Sequence, residues 1–151
     1  MKIDRISLQH VRIPLVEPFK ISNGEIREKD GIVVGVFADG MDGYGEASPM
    51  AGSFYSDDTP ESVWDGLAND LIPAVLSRAP RDIEAVNAVL DEVPGSAFAR
   101  AGLETAFWDL FAQRDRKPLY ELLGGKEKAI ESGLAVGIYP DVRELLKAIE
   151  R

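Results

Sequence analysis

Hydrophobic positions change their period along this chain, from two in the first third to three or four in the middle. In Lys2 to Leu15, Ile6 and Leu8 share one face, and Val11, Ile13 and Leu15 share the other. The phase reverses at Gln9-His10, which predicts one long strand carrying a bulge or a twist. Pro14 and Pro18 are expected to interrupt the ladder and open a loop from Pro14 to Gly24. The run Gly31 to Ala38 is short and β-branched, hence a strand, and Asp39-Gly40-Met41-Asp42-Gly43 has turn chemistry before a third strand starts at Tyr44. A three-stranded antiparallel sheet follows from this order.

After an irregular stretch, Glu46 to Asp57, the period becomes helical. Thr59-Pro60 reads as an N-cap followed by proline at the first helical position, with Trp64, Leu67, Ala68, Leu71 and Val75 on one face. Pro73 falls inside this pattern and is expected to kink the helix. Asp82 caps a second helix with Ile83, Val86, Leu90 and Val93 inward, stopped by Pro94-Gly95. A third helix from about Ser96 to Arg114 mixes small and large residues, Ala99, Leu103, Ala106, Phe107, Leu110 and Phe111, so that another element can approach it closely. Leu119 to Leu123 adds a turn capped by Gly124-Gly125. Glu131 to Ile138 then reads as a buried parallel strand. Asp141 opens a helix with Val142, Leu145, Leu146 and Ile149 on one face, and the two together look like the start of a β/α repeat. The fold class is therefore α+β.

Composition narrows the chemistry. With 26 acidic against 17 basic side chains the net charge is −9, and no Lys/Arg cluster offsets it, which argues against a nucleic-acid partner. The absence of cysteine excludes disulfides, thiolate metal sites and a cysteine nucleophile. The N-terminus lacks the apolar core of a signal peptide, and the longest apolar run, Gly31 to Ala38, is too short for a bilayer, so a cytoplasmic location is expected.

Few residues invite a catalytic reading. His10 is the single histidine and has no partner at ligand or triad spacing. Glu104 and Asp109 are five residues apart on a helix and do not face one another. Glu46 beside a tight turn is expected to accept backbone N–H groups. Gly40, Gly43 and Gly45 have the look of a phosphate loop, but they sit in a hairpin, whose geometry accounts for them. Two irregular segments mix aromatic, apolar and hydroxyl side chains: Phe19, Ile21, Ser22 and Asn23 in the first, Met50, Ser53, Phe54 and Tyr55 in the second. Such loops suit a lid over a small ligand, or simply the filling of a gap between sheet and helices.

The motifs Pro18-Phe19…Ser22-Asn23-Gly24, Gly43-Tyr44-Gly45-Glu46-Ala47, Tyr55 to Thr59, Ala99 to Leu110 and Pro118 to Gly125, in this order, resemble the N-terminal capping domain of the enolase superfamily. The muconate-lactonizing subgroup, with its o-succinylbenzoate synthases and N-succinylamino-acid racemases, is the most similar branch. The resemblance implies a capping domain over residues 1–128 and, over 129–151, the first β/α unit of an incomplete TIM barrel. It implies a parent chemistry in which a proton α to a carboxylate is removed while Mg²⁺ stabilises the enediolate. The subgroup's Lys-x-Lys pair, acidic metal ligands and second lysine lie on later barrel strands and would fall beyond Arg151; Lys126-Glu127-Lys128 has the lysine spacing but precedes the barrel. No catalytic or metal-binding residue is expected here, and the chain alone is expected to be inactive. The resemblance carries over a substrate-covering wall, Phe19 and Ser22 from the first loop and Met50, Phe54 and Tyr55 from the second. Ala135 takes a strand-end position where relatives often place a serine near the substrate. The expected partners are a small carboxylate substrate and, for the apolar faces of residues 129–151, the remaining barrel or a second copy. A free-standing small-ligand-binding or interaction module without catalysis is the alternative.

Overall fold

The computed structural model describes residues 1–22, 24–50, 56–126 and 128–150. Three antiparallel strands, β1 (Ile3–Ile21), β2 (Gly24–Ala38) and β3 (Met41–Ala47), form one sheet in the order β1-β2-β3. Helix α1 (Pro60–Gly66), a π turn (Leu67–Leu71), α2 (Ile72–Arg78), α3 (Ile83–Glu92) and α4 (Ala97–Asp115) follow, then the short α5 (Leu119–Leu122) and α6 (Val142–Ile149); α4 and α1 pack against the sheet, and α3 and the π turn pack on α4. The core lies between the sheet and α4: Ile32, Val34, Val36, Leu67, Leu71, Leu103, Phe107 and Leu110 are all fully buried. The α+β class and the antiparallel sheet are as the sequence pattern predicts.

The strands are longer than predicted, for two reasons. Pro14 and Pro18 do not end β1, because β1 is an edge strand, where a missing N–H need not cost a ladder hydrogen bond. They mark a bulge instead: Pro14 pairs with Glu28 and Phe19 with Ile26, so Leu15 to Pro18 stand against Arg27 alone. No register shift occurs at Gln9-His10, where pairing runs unbroken from Arg5 to Pro14. The change of hydrophobic face has another origin. Ile6 and Leu8 pack on the core, and beyond them His10 and Arg12 continue the same face and grip Asp30.

The glycines of the hairpin divide into two jobs. Asp39 (φ 51) and Gly40 (φ 79) make the tight turn, both in the left-handed region. Gly43, predicted as a turn residue, and Gly45 both lie within β3 and let it press on α4. A Cβ at Gly45 would stand 2.5 Å from Thr105 Oγ1 and 2.6 Å from the Ala106 amide nitrogen. The small-residue face of the long helix thus receives β3, with Asp109 Oδ2 accepting the Tyr44 amide at 2.8 Å.

The helix caps follow the sequence. Thr59 and Ser62 form a reciprocal capping box, and Asp82, Ser96 and Asp141 each accept amides of the helix that follows. Pro73 is met by the π turn just before it, where the Ile72 amide reaches back five residues to the Leu67 carbonyl. The segment Glu131–Ile138, predicted as a strand, forms none. A buried parallel strand needs a ladder on both sides, whereas among the described residues one backbone bond ties the segment, from the Ile138 amide to the Lys20 carbonyl at 3.0 Å. Leu134 and Ile138 stay exposed, as do Val142, Leu146 and Ile149 of α6. Among the described residues no helix is long and apolar enough to cross a membrane.

Candidate functional site

Because β1 and β2 outrun the helical layer, their far ends form a two-stranded ribbon standing clear of the core. The bulge at Leu15–Pro18 interrupts the pairing near its tip, and two clefts share Phe19 as a lining residue. The first cleft, about 410 Å³, lies between the ribbon tip, with Phe19, Lys20 and Arg27, and the extended segment Leu134 to Pro140. The second, about 600 Å³, is walled by Leu15, Val16, Phe19 and Ile26 on the ribbon and by Ser48, Pro49 and Met50 beyond β3.

The structure gathers part of the sequence-predicted wall. Phe19 borders both clefts, Ala135 the first and Met50 the second. Gly137 lets the segment approach, since a Cβ there would come 3.3 Å from the Phe19 ring and 3.1 Å from the Lys20 carbonyl oxygen. Ser22, exposed at the turn that follows β1, lines neither cleft. Phe54 and Tyr55 lie outside the described residues.

Charge around the clefts is held in local pairs. Glu25 binds Lys20 at 3.2 Å and Arg27 at 2.5 Å beside the first cleft. At the second, Glu46 Oε1 accepts from Lys29 Nζ at 2.8 Å and from Ser48 Oγ at 2.5 Å. Lys29, and then Ser48, hold the Glu46 carboxyl below the usual glutamate range. Backbone amides are the partners expected for Glu46; among the described residues its partners are the side chains of Lys29 and Ser48, because β3 carries it to the sheet face opposite the core, beside Lys29.

One cluster escaped the sequence reading. Asp30, 3% exposed, accepts from Arg12 Nε at 3.1 Å and lies 2.5 Å from His10 Nε2. His10 therefore has a carboxylate partner, twenty residues away in sequence. Only the β1–β2 register, Arg12 opposite Asp30 and His10 opposite Ile32, brings them together, and the bulge hides that register from a count along the chain. Glu104 and Asp109 behave as expected of structural carboxylates: Glu104 accepts from Trp108 Nε1 at 3.2 Å, and Asp109 holds β3.

Among the described residues no three His, Asp or Glu side chains are placed to hold a metal ion. The divalent cation implied by the resemblance therefore finds no fitting donor set in them. What the clefts offer is shape and a partly apolar wall, with their charged groups largely engaged by one another.

A family model described as the mandelate racemase / muconate lactonizing enzyme, N-terminal domain, matches residues 4–124. The o-succinylbenzoate synthase of Geobacillus stearothermophilus is 36% identical over 152 residues, covering 100% of this chain and 40% of its own. An N-succinylamino acid racemase of Thermus thermophilus is 32% identical over 151 residues, covering 100% of this chain and 41% of its own. Among solved structures, an enolase superfamily member from Listeria innocua superposes with a TM-score of 0.89 at 28% identity, over 99% of this chain and 41% of that one. The dipeptide epimerase of Enterococcus faecalis, complexed with Mg and the dipeptide L-Leu-L-Tyr, gives 0.87 at 30% identity, over 99% of this chain and 42% of that one. The chain spans about 40% of the length of the curated relatives it matches.

Proposed function

We propose, from the premise that this chain belongs to the mandelate racemase / muconate lactonizing enzyme family and spans its N-terminal domain, that it is the substrate-covering part of a metal-dependent enzyme. That enzyme abstracts a proton α to a carboxylate, in an o-succinylbenzoate synthase, N-acylamino-acid racemase or cycloisomerase reaction. The observation carrying this reading is Phe19, the shared wall of two clefts that lead to Met50 on one side and Ala135 on the other. In this reading Phe19, Ser22, Met50, Phe54, Tyr55 and Ala135 select the shape of the substrate's non-reacting end and keep water from it.

Residues 1–128 are the cap and 129–151 the first β/α unit of a barrel in the same reading. The exposure of Leu134 (88%), Ile138 (58%) and Ile149 (59%) supports it, since these are faces that neighbouring barrel elements would cover. Mg²⁺ would supply the charge that stabilises the enediolate, held by groups other than the described residues, and the proton-transfer groups would likewise lie elsewhere. With alanine at 135, no side-chain hydrogen bond reaches the substrate from that position.

The test is a fusion of this chain to the barrel portion of the Geobacillus relative, assayed with Mg²⁺ for o-succinylbenzoate formation and for racemisation of N-succinyl-L-phenylalanine. Turnover is expected from the fusion and not from either part. A folded, Mg²⁺-binding fusion no more active than the bare barrel would defeat the reading. Ligand binding by the chain alone, unaffected by metal, would favour a free-standing binding module.

A further inference from the structure

We propose that Glu46 is a positioning residue: it buckles the end of β3 to β2 and thereby sets where Met50 stands in the second cleft. This rests on the reading of that cleft as substrate-covering. One carboxylate oxygen, Glu46 Oε1, takes both Lys29 Nζ (2.8 Å) and Ser48 Oγ (2.5 Å), so a single atom joins the middle of β2 to the first residue after β3. Ser48, Pro49 and Met50 follow directly and line the cleft, as does Lys29 itself. Pro49 is buried and restricts the backbone between Ser48 and Met50, so displacement at Ser48 passes to Met50 with little slack.

Gly31 makes room for the buckle. A Cβ there would lie 3.0 Å from Glu46 Oε1 and 3.6 Å from Lys29 Nζ, pressing on the bond that spans it. Lys29 is fixed from a second side by its 3.4 Å bond to the Asp30 carbonyl. The pair is about half exposed, Lys29 at 43% and Glu46 at 47%, so its loss should disturb a local wall far more than the global stability. Sequence alone gives a carboxylate next to a hairpin; the pairing of Val33 with Glu46 puts it within reach of Lys29.

The protein has three methionines, Met1, Met41 and Met50, which makes methyl-¹³C-methionine NMR of the intact chain a local probe. With Met50 assigned by Met50→Leu, Glu46→Gln is expected to shift or broaden the Met50 methyl signal while those of Met1 and Met41 stay in place. Lys29→Gln should do the same, and the charge-swapped pair Lys29→Glu with Glu46→Lys should bring the signal back towards its parental position. An unmoved Met50 signal in both single variants, or equal movement of all three methyls, overturns the proposal. In the fused enzyme described above, Glu46→Gln is expected to raise KM for N-succinyl-L-phenylalanine about tenfold with kcat within about twofold, the pattern of lost ground-state positioning. Parental KM and kcat in an active Glu46→Gln fusion would refute the positioning role even if the methyl signal moves. A parental fusion without turnover counts against the substrate-covering reading, and the Met50 signal then still decides whether the buckle exists.

Discussion

Replacing Gly45 with alanine tests the central packing decision of this fold. The added Cβ would stand 2.5 Å from Thr105 Oγ1 and 2.6 Å from the Ala106 amide nitrogen, and closer still to the Gly102 carbonyl oxygen. Ordinary contacts of this kind are about 3.5 Å, so β3 and α4 must separate by roughly 1 Å. Two of the three obstacles are helix backbone, which cannot rotate away as a side chain could. Overpacking of a core costs about 1–3 kcal/mol, and backbone obstruction places this case near the top of that range. For a domain of this size a loss of about 3 kcal/mol lowers the melting temperature by roughly 6–12 °C. Gly66→Ala is the matched control: its φ is −62°, no atom lies within 4 Å of the new methyl, and it ends a helix. It should raise stability by about 0.4–1 kcal/mol through the unfolded chain's lost freedom. Thermal unfolding followed by circular dichroism reads both. A Gly45→Ala protein melting within about 2 °C of the parent would refute the claim that these glycines exist for close approach to α4.

Three further outcomes follow from the same geometry. Asp109→Ala removes the acceptor of the Tyr44 amide and should cost about 1.5–3 kcal/mol in urea denaturation, as for hydrogen bonds to charged groups. Asp30→Asn leaves Arg12 and His10 without their shared buried carboxylate; a loss of about 1–3 kcal/mol is expected, at the lower end because both partners reach solvent. Glu46 has a folded-state pKa below the glutamate value of 4.5, so its contribution is fully present above that value and is lost as pH falls through the lower folded one. Stability measured across this acid limb should fall more steeply in the parent than in Glu46→Gln, and identical limbs would contradict the pairing.

Much of the architecture was legible in the order of residues because it depends on local rules. Period two followed by period three-and-a-half gave sheet then helices, Thr59, Asp82, Ser96 and Asp141 announced their helices, and five motifs in order gave the family. Phe19, Met50 and Ala135 were picked out by residue type and motif position, and the structure sets each of them in a cleft wall. What could not be read depends on partners far along the chain. Whether Pro14 ends a strand turns on which neighbour lies beside it, and an edge position tolerates what an inner strand would not. The bulge at Leu15–Pro18 sets the register that joins His10 to Asp30, and β2–β3 pairing puts Glu46 near Lys29. Glu131–Ile138 has the composition of a buried strand, yet a strand is a property of a sheet and not of a segment. Sequence by itself determined the order of sheet and helices and the caps that start those helices. Tertiary structure decided which carboxylates find which cations and where the wall stands, because hydrogen bonds and ion pairs form between atoms a few ångströms apart, whatever their distance in sequence.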